Sequence, residues 1–186
     1  ITLKKEILST LTKKFNYIIY EHDHKYLINR NPSAFLNYQA PKEQIVNYHF
    51  YKNAKAIITQ TTFHKGIVEK NLKLNNVVTI SGNLWSLSNL EFMRALSNGE
   101  KKDICAIMNS TIPHKNTIDS VRYCKAKGLE YNLISSSDYH SFLSKMGENK
   151  RFVFFPKTPE TLSRVVVECR MMNMSTILNK NVGASY

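Results

Sequence analysis

The sequence lacks the features that mark a membrane-spanning or secreted protein. No apolar run approaches the ~20 residues that a transmembrane helix requires, and the first residues show no signal-peptide pattern. Internal repeats and low-complexity tracts are also missing. With 42% hydrophobic and 22% charged residues, the 186-residue chain is too apolar for a disordered protein and long enough for one ordinary domain or two small ones.

Cysteine is scarce. The three cysteines, Cys105, Cys124 and Cys169, are odd in number and widely spaced, and no CxxC pair occurs. This pattern gives no support to a disulfide framework or a cysteine metal site. We expect reduced, partly buried thiols in a cytoplasmic protein.

The sequence has no concentrated block of positive charge, although its formal net charge is +12. Such a balance favours anionic partners: nucleic acid, an acidic membrane surface or phosphorylated small molecules. The basic residues occur in dispersed pairs, and no RNP, KH, zinc-finger or helix-turn-helix signature accompanies them. A basic nucleic-acid-binding domain is therefore a lesser hypothesis, which predicts salt-sensitive binding to DNA or RNA.

Short β-branched or aromatic runs alternate with longer amphipathic segments. The pattern predicts strands at 17–20, 56–59, 77–80, 104–108, 131–134, 152–155 and 176–178. It predicts helices between them, at about 4–14, 42–52, 62–71, 87–98, 115–127, 138–147 and 159–172. This alternation is typical of an α/β protein with Rossmann-like parallel sheets flanked by helices and joined by right-handed crossovers.

A domain boundary is predicted near residues 81–86, where a strand ends in a Gly-Asn turn and a polar stretch leads into the next helix. Residues 1–84 would form a partial N-terminal α/β region, and residues 85–186 a better-formed Rossmann-like domain. Because the chain begins at Ile1 without a methionine and ends at Tyr186, we expect a fragment with an incomplete N-terminal domain.

The most informative segment joins the sixth predicted strand to the last predicted helix. The strand ends at Pro156, Thr158 is a suitable N-cap, and Pro159 is a suitable first helical residue, so the helix is predicted over 159–172. The connecting loop would lie at the carboxyl end of a parallel sheet. Ligands of open α/β sheets bind at such loops.

Two glutamates flank the predicted helix start. The unpaired amides of Thr161, Leu162 and Ser163 would suit a phosphate or diphosphate there. Glu160 and Glu168 lie eight residues apart, a spacing that rises ~12 Å and turns ~80° on an α-helix, so they do not share a proton. They would bind two separate hydroxyl-rich groups, since a carboxylate accepts two hydroxyl protons at once. The alternative is that both glutamates are solvated surface charges. The flanking strands, the proline and the glycine favour the binding role.

The pattern P-x3-E-x7-E after a strand resembles the donor-site motif of retaining glycosyltransferases of the GT-B fold. The resemblance implies that Glu168 holds the ribose hydroxyls of the nucleotide and that Glu160, a candidate catalytic residue, faces the transferred sugar. It also implies that the backbone at 161–164 holds the diphosphate and that no metal or other cofactor is needed. Residues 77–85 resemble the segment that closes the acceptor domain. The last strand with Gly183 resembles the strand and glycine loop that follow the motif helix, which makes Gly183 a further donor-binding candidate.

Lys115 is a further candidate for the donor diphosphate. It opens the helix after the fourth predicted strand and resembles a family position at which a lysine reaches the diphosphate. An exposed first-turn lysine is the alternative interpretation. Asn109 and Ser110 stand where the family often places an arginine, so Arg164 is the candidate for a second cation.

A cluster of titratable residues, 21–24, follows the first predicted strand. His22 and Asp23 are candidate catalytic residues, because the resembling family places a histidine or aspartate in a comparable loop of its acceptor domain. A purely structural loop is one alternative. A metal-binding His-x-His pair formed by His22 and His24 is another, although no further ligand cluster accompanies it.

These features predict a glycosyltransferase that moves a sugar from a nucleotide-diphosphate sugar to an unknown glycan, lipid or protein acceptor, with retention. A non-catalytic sugar-nucleotide-binding module is the alternative and would bind the donor without turnover. The protein is expected in the cytoplasm, with peripheral contact to an anionic inner-membrane surface. Between Ile134 and Phe152 there is room for a single helix, whereas the family has additional base-recognition structure there, so the base stays unassigned.

Overall fold

The computed structural model describes residues 4–186 and divides into two units. The first unit extends to Gly82 and includes Tyr186, and the second spans Asn83–Ser185. The division thus falls between residues 82 and 83, whereas the sequence placed it between 84 and 85.

The first unit is built on a parallel sheet in the order β1-β2-β3. Ile57 on the central strand and Val68 on the following helix belong to one buried core, because the β-branched strand and the apolar side of the helix cover each other. The elements of this unit are α1 (Lys5–Lys14), β1 (Ile18–Tyr20), α2 (Tyr48–Lys52), β2 (Ala56–Thr59), α3 (Thr62–Leu72) and β3 (Val77–Thr79), with 3-10 turns at Pro32–Ala34, Leu36–Tyr38 and Lys42–Gln44.

The second unit is built on a parallel sheet in the order β5-β4-β6-β7. Its elements are α4 (Leu87–Ser97), β4 (Lys102–Met108), α5 (Thr117–Ala126), β5 (Tyr131–Ile134), α6 (Tyr139–Gly147), β6 (Asn149–Phe154), α7 (Arg164–Met171) and β7 (Ser175–Leu178). The helices cover both faces of this sheet, which is the arrangement that a parallel sheet requires.

Alternation along the central strands gives the second unit a core on each face of its sheet. Cys105 and Ile107 of β4 pack with Cys124 of α5, whereas Ala106 and Phe152 pack in a separate cluster with residues of α4, α6 and α7. Successive side chains of a strand point to opposite faces, so a continuous apolar run fills both cores. The predicted Rossmann-like fold class and all seven predicted strands are confirmed.

The cysteines agree with the sequence-based expectation. All three are free and buried, and burial raises the pKa of the Cys169 thiol well above its usual range. Among residues 4–186, no helix is both long enough and apolar enough to cross a lipid bilayer.

The predicted helix over 42–52 is wrong in its middle. A 3-10 turn at Lys42–Gln44 precedes extended residues, and α2 begins only at Tyr48. Ile45 forms an antiparallel bridge with Leu27. Backbone pairing with a distant segment, supported by a β-branched side chain, therefore replaces local helical bonds here.

The predicted motif helix over 159–172 is wrong at its start. It begins at Arg164, so Thr158 is not its N-cap, and Ser163 before it adopts the left-handed conformation with φ 69°. The chain before Arg164 is fixed by long-range backbone pairing, which helix-start signals do not reveal. The helix end was predicted correctly, since Asn173, with φ 61°, follows its last turn.

Candidate functional site

The strand order of the second unit locates its ligand-binding edge. Strand β4 lies between β5 and β6, so the chain leaves β4 towards one side of the sheet and leaves β6 towards the other. Ligands of open α/β sheets bind outside the carboxyl ends of the strands at such a switch point. A cleft of about 590 Å³ opens there, lined by Asn89, Met108, Lys115, Tyr139, Phe142, Glu160, Ser163, Arg164, Val165 and Glu168.

Lys115 reaches the cleft from the loop after β4. It ends a 3-10 turn at Pro113–Lys115, and α5 begins two residues later than the predicted start at Lys115. The reason is Asn116, which has φ 57° and whose side-chain amide donates to the carbonyl of Phe155 at 2.8 Å. This bond ties the β4 loop to the end of β6 and so fixes the position of Lys115.

Lys115 and Glu160 form an ion pair across the carboxyl ends of β4 and β6. The Lys115 Nζ lies 2.8 Å from Glu160 Oε1, and the two side chains are 25% and 15% exposed. The Lys115 Nζ also lies 5.9 Å from the centre of the Phe154 ring. Because solvent reaches these groups only partly, the pair is less screened than a surface ion pair.

Glu160 is held by backbone pairing and not by a helix. Its N–H donates to the carbonyl of Asn181 at 2.8 Å, and its carbonyl accepts from the N–H of Gly183 at 2.9 Å. Glu160 also forms an isolated parallel bridge with Val182. The helical geometry predicted for Glu160 and Glu168 is therefore wrong, because only Glu168 lies on α7.

Gly183 packs closely against the backbone of Glu160 and Thr161. A Cβ at this position would lie 2.3 Å from the carbonyl oxygen of Thr161 and 2.8 Å from that of Glu160. Only glycine permits this close approach of two backbone segments. Gly183 thus packs against the segment that carries Glu160 and is not among the residues that line the cleft, so its role is structural and not the predicted contact with the donor.

The amides at the helix start differ from those predicted. Thr161 and Leu162 precede the helix, and the Leu162 side chain is buried in the protein core. The first-turn amides are instead those of Arg164 and Val165, with Ser163 at the N-cap position. The Ser163 side chain makes no capping hydrogen bond, and its buried Oγ has no partner among the described residues.

Glu168 lies on α7 with its side chain 4% exposed. Its Oε1 accepts hydrogen bonds from Trp85 Nε1 at 2.9 Å and from the Tyr139 hydroxyl at 2.8 Å. Arg164 Nε approaches the same oxygen at 3.5 Å, and the Arg164 guanidinium lies 5.2 Å from the centre of the Trp85 ring. A buried carboxylate requires such partners to remain charged.

Tyr139 stays a hydrogen-bond donor at neutral pH. Burial, followed by its hydrogen bond to Glu168 and the charge of that carboxylate, raises the pKa of Tyr139 to about 12. The phenol is therefore protonated throughout the physiological pH range and can donate to the Glu168 carboxylate.

The cleft gathers most of the predicted donor-site residues, and two residues that sequence reasoning missed contact Glu168. Trp85 and Tyr139 contact Glu168 across 83 and 29 residues of chain. A weak signal existed for Tyr139, which follows strand β5 and therefore lies at the same edge of the sheet as Lys115. Trp85 lies in the segment treated as a domain boundary, where no periodicity marks its role.

His22 and Asp23 lie in the first unit, after β1. The His22 ring packs edge-to-face on Tyr20 with 4.3 Å between ring centres. Asp23 is 64% exposed at its side chain, and its carboxylate lies 3.9 Å from Lys25 Nζ. Both side chains are accessible at the carboxyl end of a parallel strand.

The loop that carries His22 and Asp23 is organised by a buried carboxylate. Glu21 is 1% exposed, and its Oε1 accepts the backbone N–H groups of Asp23 and Lys25 at 3.1 and 3.0 Å. The Tyr51 hydroxyl donates to the other oxygen of Glu21. This network fixes the loop backbone, so Glu21 is a structural residue of the cluster.

His24 points into the core, away from the arrangement that a metal pair would need. Its Nδ1 lies 3.0 Å from the Tyr26 hydroxyl, and its ring meets that of His64 edge-to-face at 4.9 Å. Burial lowers the pKa of His24 to about 4 and that of His64 to about 2. Across the part of the chain that the structure describes, no group of three or more His, Cys, Asp or Glu side chains could hold a metal ion.

No protein-family model and no curated protein sequence matches this chain. Its structure is similar to solved structures of Alr3699/HepE from Anabaena. The complex of that protein with UDP and glucose matches with 12% sequence identity and a TM-score of 0.56. The complex with UDP-glucose matches with 11% identity and a TM-score of 0.53.

The fold is of the GT-B type. Each HepE match covers 98% of this chain and 59% of the HepE chain, so the chain spans about three fifths of the length of the protein it matches. At this level of identity, the likeness establishes the fold, and the fold class predicted from the sequence is confirmed.

Proposed function

We propose that the second unit binds a nucleotide-diphosphate sugar in the cleft at the carboxyl ends of β4 and β6. The observation that carries this proposal is the convergence of Lys115, Glu160, Ser163, Arg164 and Glu168 on one cleft at the switch point of the sheet. The shared fold with HepE, whose structures contain UDP with glucose and UDP-glucose, supports the same ligand class.

The diphosphate would lie at the start of α7. Arg164 and Lys115 supply two positive charges, and the amides of Arg164 and Val165 point out of the first turn. Phosphate groups bind at helix N-termini because the free N–H groups and the helix dipole favour negative charge. The unpartnered Ser163 Oγ adds one hydrogen-bond donor on the same wall of the cleft.

The two carboxylates would bind hydroxyl groups on either side of the diphosphate. Glu168 would receive the ribose hydroxyls and Glu160 the transferred sugar. Glu160 has a second role in this proposal, because its ion pair at 2.8 Å holds the Lys115 ammonium in the cleft before the ligand arrives.

We propose that the complete protein is a glycosyltransferase. Its second unit would stabilise the departing nucleoside diphosphate through Lys115, Arg164 and the helix start, which is the main source of rate acceleration when a charged group leaves. His22 and Asp23 are proposed to serve the acceptor side of the reaction. Retention of configuration is part of the proposal, and NMR analysis of the anomer formed first in the product tests it.

A sugar-nucleotide-binding module without catalysis is the second candidate. It would bind the donor in the same cleft but release no nucleoside diphosphate when glycan, lipid and protein acceptors are supplied. Measurement of UDP release from UDP-glucose, with and without acceptor mixtures, separates the two functions.

Thermal denaturation with a panel of nucleoside diphosphates and their sugars tests donor binding. A ligand at ~100 times its dissociation constant raises the free energy of unfolding by ~2.7 kcal/mol, which shifts the midpoint measurably. We expect a shift with one nucleotide class that is lost in Glu168→Ala and kept in Glu148→Ala, a glutamate whose side chain is 56% exposed. An equal shift in both variants would contradict the proposed role of Glu168. Binding of DNA or RNA in place of nucleotide sugars would favour the nucleic-acid hypothesis.

We further propose that the protein is cytoplasmic and that its first unit contacts an anionic membrane surface. Helix α1 has no buried residue and carries Lys5, Lys13 and Lys14, and its Ile7 is 45% exposed. Basic amphipathic helices bind anionic lipid by charge and by shallow insertion of apolar side chains. We expect co-sedimentation with vesicles that contain phosphatidylglycerol, and none with phosphatidylcholine alone. Equal behaviour with both would contradict the contact.

A further inference from the structure

Three side chains approach the same oxygen of the Glu168 carboxylate. Trp85 Nε1 and the Tyr139 hydroxyl donate to Oε1 at 2.9 and 2.8 Å, and Arg164 Nε approaches the same atom at 3.5 Å. An ionised carboxylate has about four lone-pair sites, two on each oxygen. Oε1 is therefore saturated by this chain's own donors.

These contacts leave the second oxygen for a ligand. Trp85, Tyr139 and Arg164 all approach Oε1, and Glu168 lines the cleft, so Oε2 is the oxygen that a ligand there would meet. The two lone pairs of a carboxylate oxygen suit two neighbouring hydroxyl groups. Donors on one oxygen also fix the rotation of the carboxylate, so little conformational entropy is lost when the ligand binds.

We infer that Trp85 and Tyr139 are positioning residues that turn Glu168 Oε2 towards the vicinal diol of a ribose and thereby set a preference for ribonucleotides over 2′-deoxyribonucleotides. This inference rests on the proposed function of the cleft. Arg164 completes the arrangement, because its guanidinium stacks over the Trp85 ring at 5.2 Å and holds the indole against the carboxylate.

The inference predicts how the clamp formed by Trp85 and Tyr139 affects selectivity. Without the Tyr139 hydroxyl, Oε1 regains a free lone pair and the carboxylate can turn, so the 2′-hydroxyl of the ligand no longer meets a fixed acceptor. Affinity for a ribonucleotide falls, whereas affinity for the 2′-deoxy analogue, which never used that bond, stays nearly constant. A purely structural role would lower both affinities together.

Calorimetric titration of the full chain with UDP and 2′-deoxy-UDP tests the inference. We expect the wild-type protein to prefer UDP by about tenfold or more, as for a hydrogen bond to a charged group. In Tyr139→Phe and in Trp85→Phe the preference should fall to about twofold, with the affinity for 2′-deoxy-UDP retained. Tyr123→Phe is the matched control, since the Tyr123 ring packs on Phe155 in the other core of the unit.

The fluorescence of Trp85 provides a second signal for the same titration. Trp85 is the single tryptophan of the sequence, and its indole contacts both Glu168 and Arg164. Ribonucleotide binding should change its fluorescence in the wild-type protein. Circular dichroism verifies that each variant is folded. If Tyr139→Phe does not fold, the nucleotide preference of Trp85→Phe tests the inference.

Two kinds of failure are distinguishable. If UDP, ADP, GDP and CDP all fail to bind the wild-type protein, the proposed function is overturned and this inference with it. If a ribonucleotide binds but its 2′-deoxy analogue binds equally well, the inference alone is overturned. It is also overturned if both clamp variants keep the wild-type preference, or if they lose affinity for both nucleotides.

Discussion

Acidification should destabilise the first unit through two buried histidines. His24 is 2% exposed and His64 is fully buried, and the Nε2 atom of each has no hydrogen-bond partner among residues 4–186. Burial lowers the pKa of His24 to about 4, and burial with the nearby His24 and His22 lowers that of His64 to about 2. Both imidazoles are therefore neutral in the folded protein at any pH above about 5.

The sign of the effect follows from the unfolded state, in which a histidine has a pKa of about 6.5. As the pH falls through that value, the two histidines bind protons in the unfolded chain but not in the folded chain. The free energy of unfolding therefore decreases. Lowering the pH from ~7.5 to ~5 reduces the free energy of unfolding by about 2 kcal/mol for each histidine, and by about 4 kcal/mol for the pair. This loss is a large part of the ~5–15 kcal/mol by which domains are stable.

Urea unfolding followed by far-ultraviolet circular dichroism, at both pH values, measures the effect. We expect His64→Leu to reduce the loss to about 2 kcal/mol, because one of the two protonation sites is gone. His49→Gln is the matched control, since His49 is exposed on α2 of the same unit, and it should keep the wild-type pH dependence. An equal free energy of unfolding at both pH values in the wild-type protein, or the full loss in His64→Leu, would refute the reasoning.

Three further predictions concern the cleft. Gly183→Ala should lower the free energy of unfolding by about 1–3 kcal/mol in urea titrations, because its Cβ would lie 2.3 Å from the Thr161 carbonyl oxygen. Gly66→Ala is the control and should not destabilise the protein, because there is open space around the added carbon. Equal losses in the two variants would contradict this prediction. Lys115→Met should weaken UDP binding about tenfold or more in calorimetry, whereas Lys102→Met, at a 61% exposed side chain, should leave it unchanged. Addition of EDTA should leave UDP binding unchanged, and a large loss of affinity would indicate a metal ion at the site.

The strands, and the edge of the sheet at which the cleft opens, were accessible from the sequence for a physical reason. The central strands of a parallel sheet are buried on both faces, so they read as short continuous apolar runs, such as 152–155 in β6. Polar residues directly after such runs lie at one edge of the sheet. Lys115 and Glu160, which the family resemblance assigns to the donor site, both follow such runs. They form an ion pair although 45 residues separate them.

The start of α7 was not accessible in the same way. Thr158 and Pro159 are good local signals for a helix start, but the chain after them pairs with residues near its end, and Glu160 bonds to Asn181 and Gly183. Local propensity yields to long-range backbone bonds in such cases. The contacts of Trp85 and Tyr139 with Glu168 were inaccessible for a similar reason, because side-chain contacts between residues far apart in the chain produce no periodic pattern in the sequence.

The central claim is that the cleft of the second unit binds a nucleotide sugar, and an amide NMR titration of the isotope-labelled full chain with UDP-glucose tests it most directly. We expect saturable shifts in the amides of residues 160–165 and of Lys115 and Tyr139, which line or adjoin the cleft. These shifts should be absent in Glu168→Ala at the same ligand concentration. A spectrum unchanged at saturating UDP-glucose and at saturating ADP, GDP and CDP sugars, or shifts confined to residues outside this cleft, would contradict the claim.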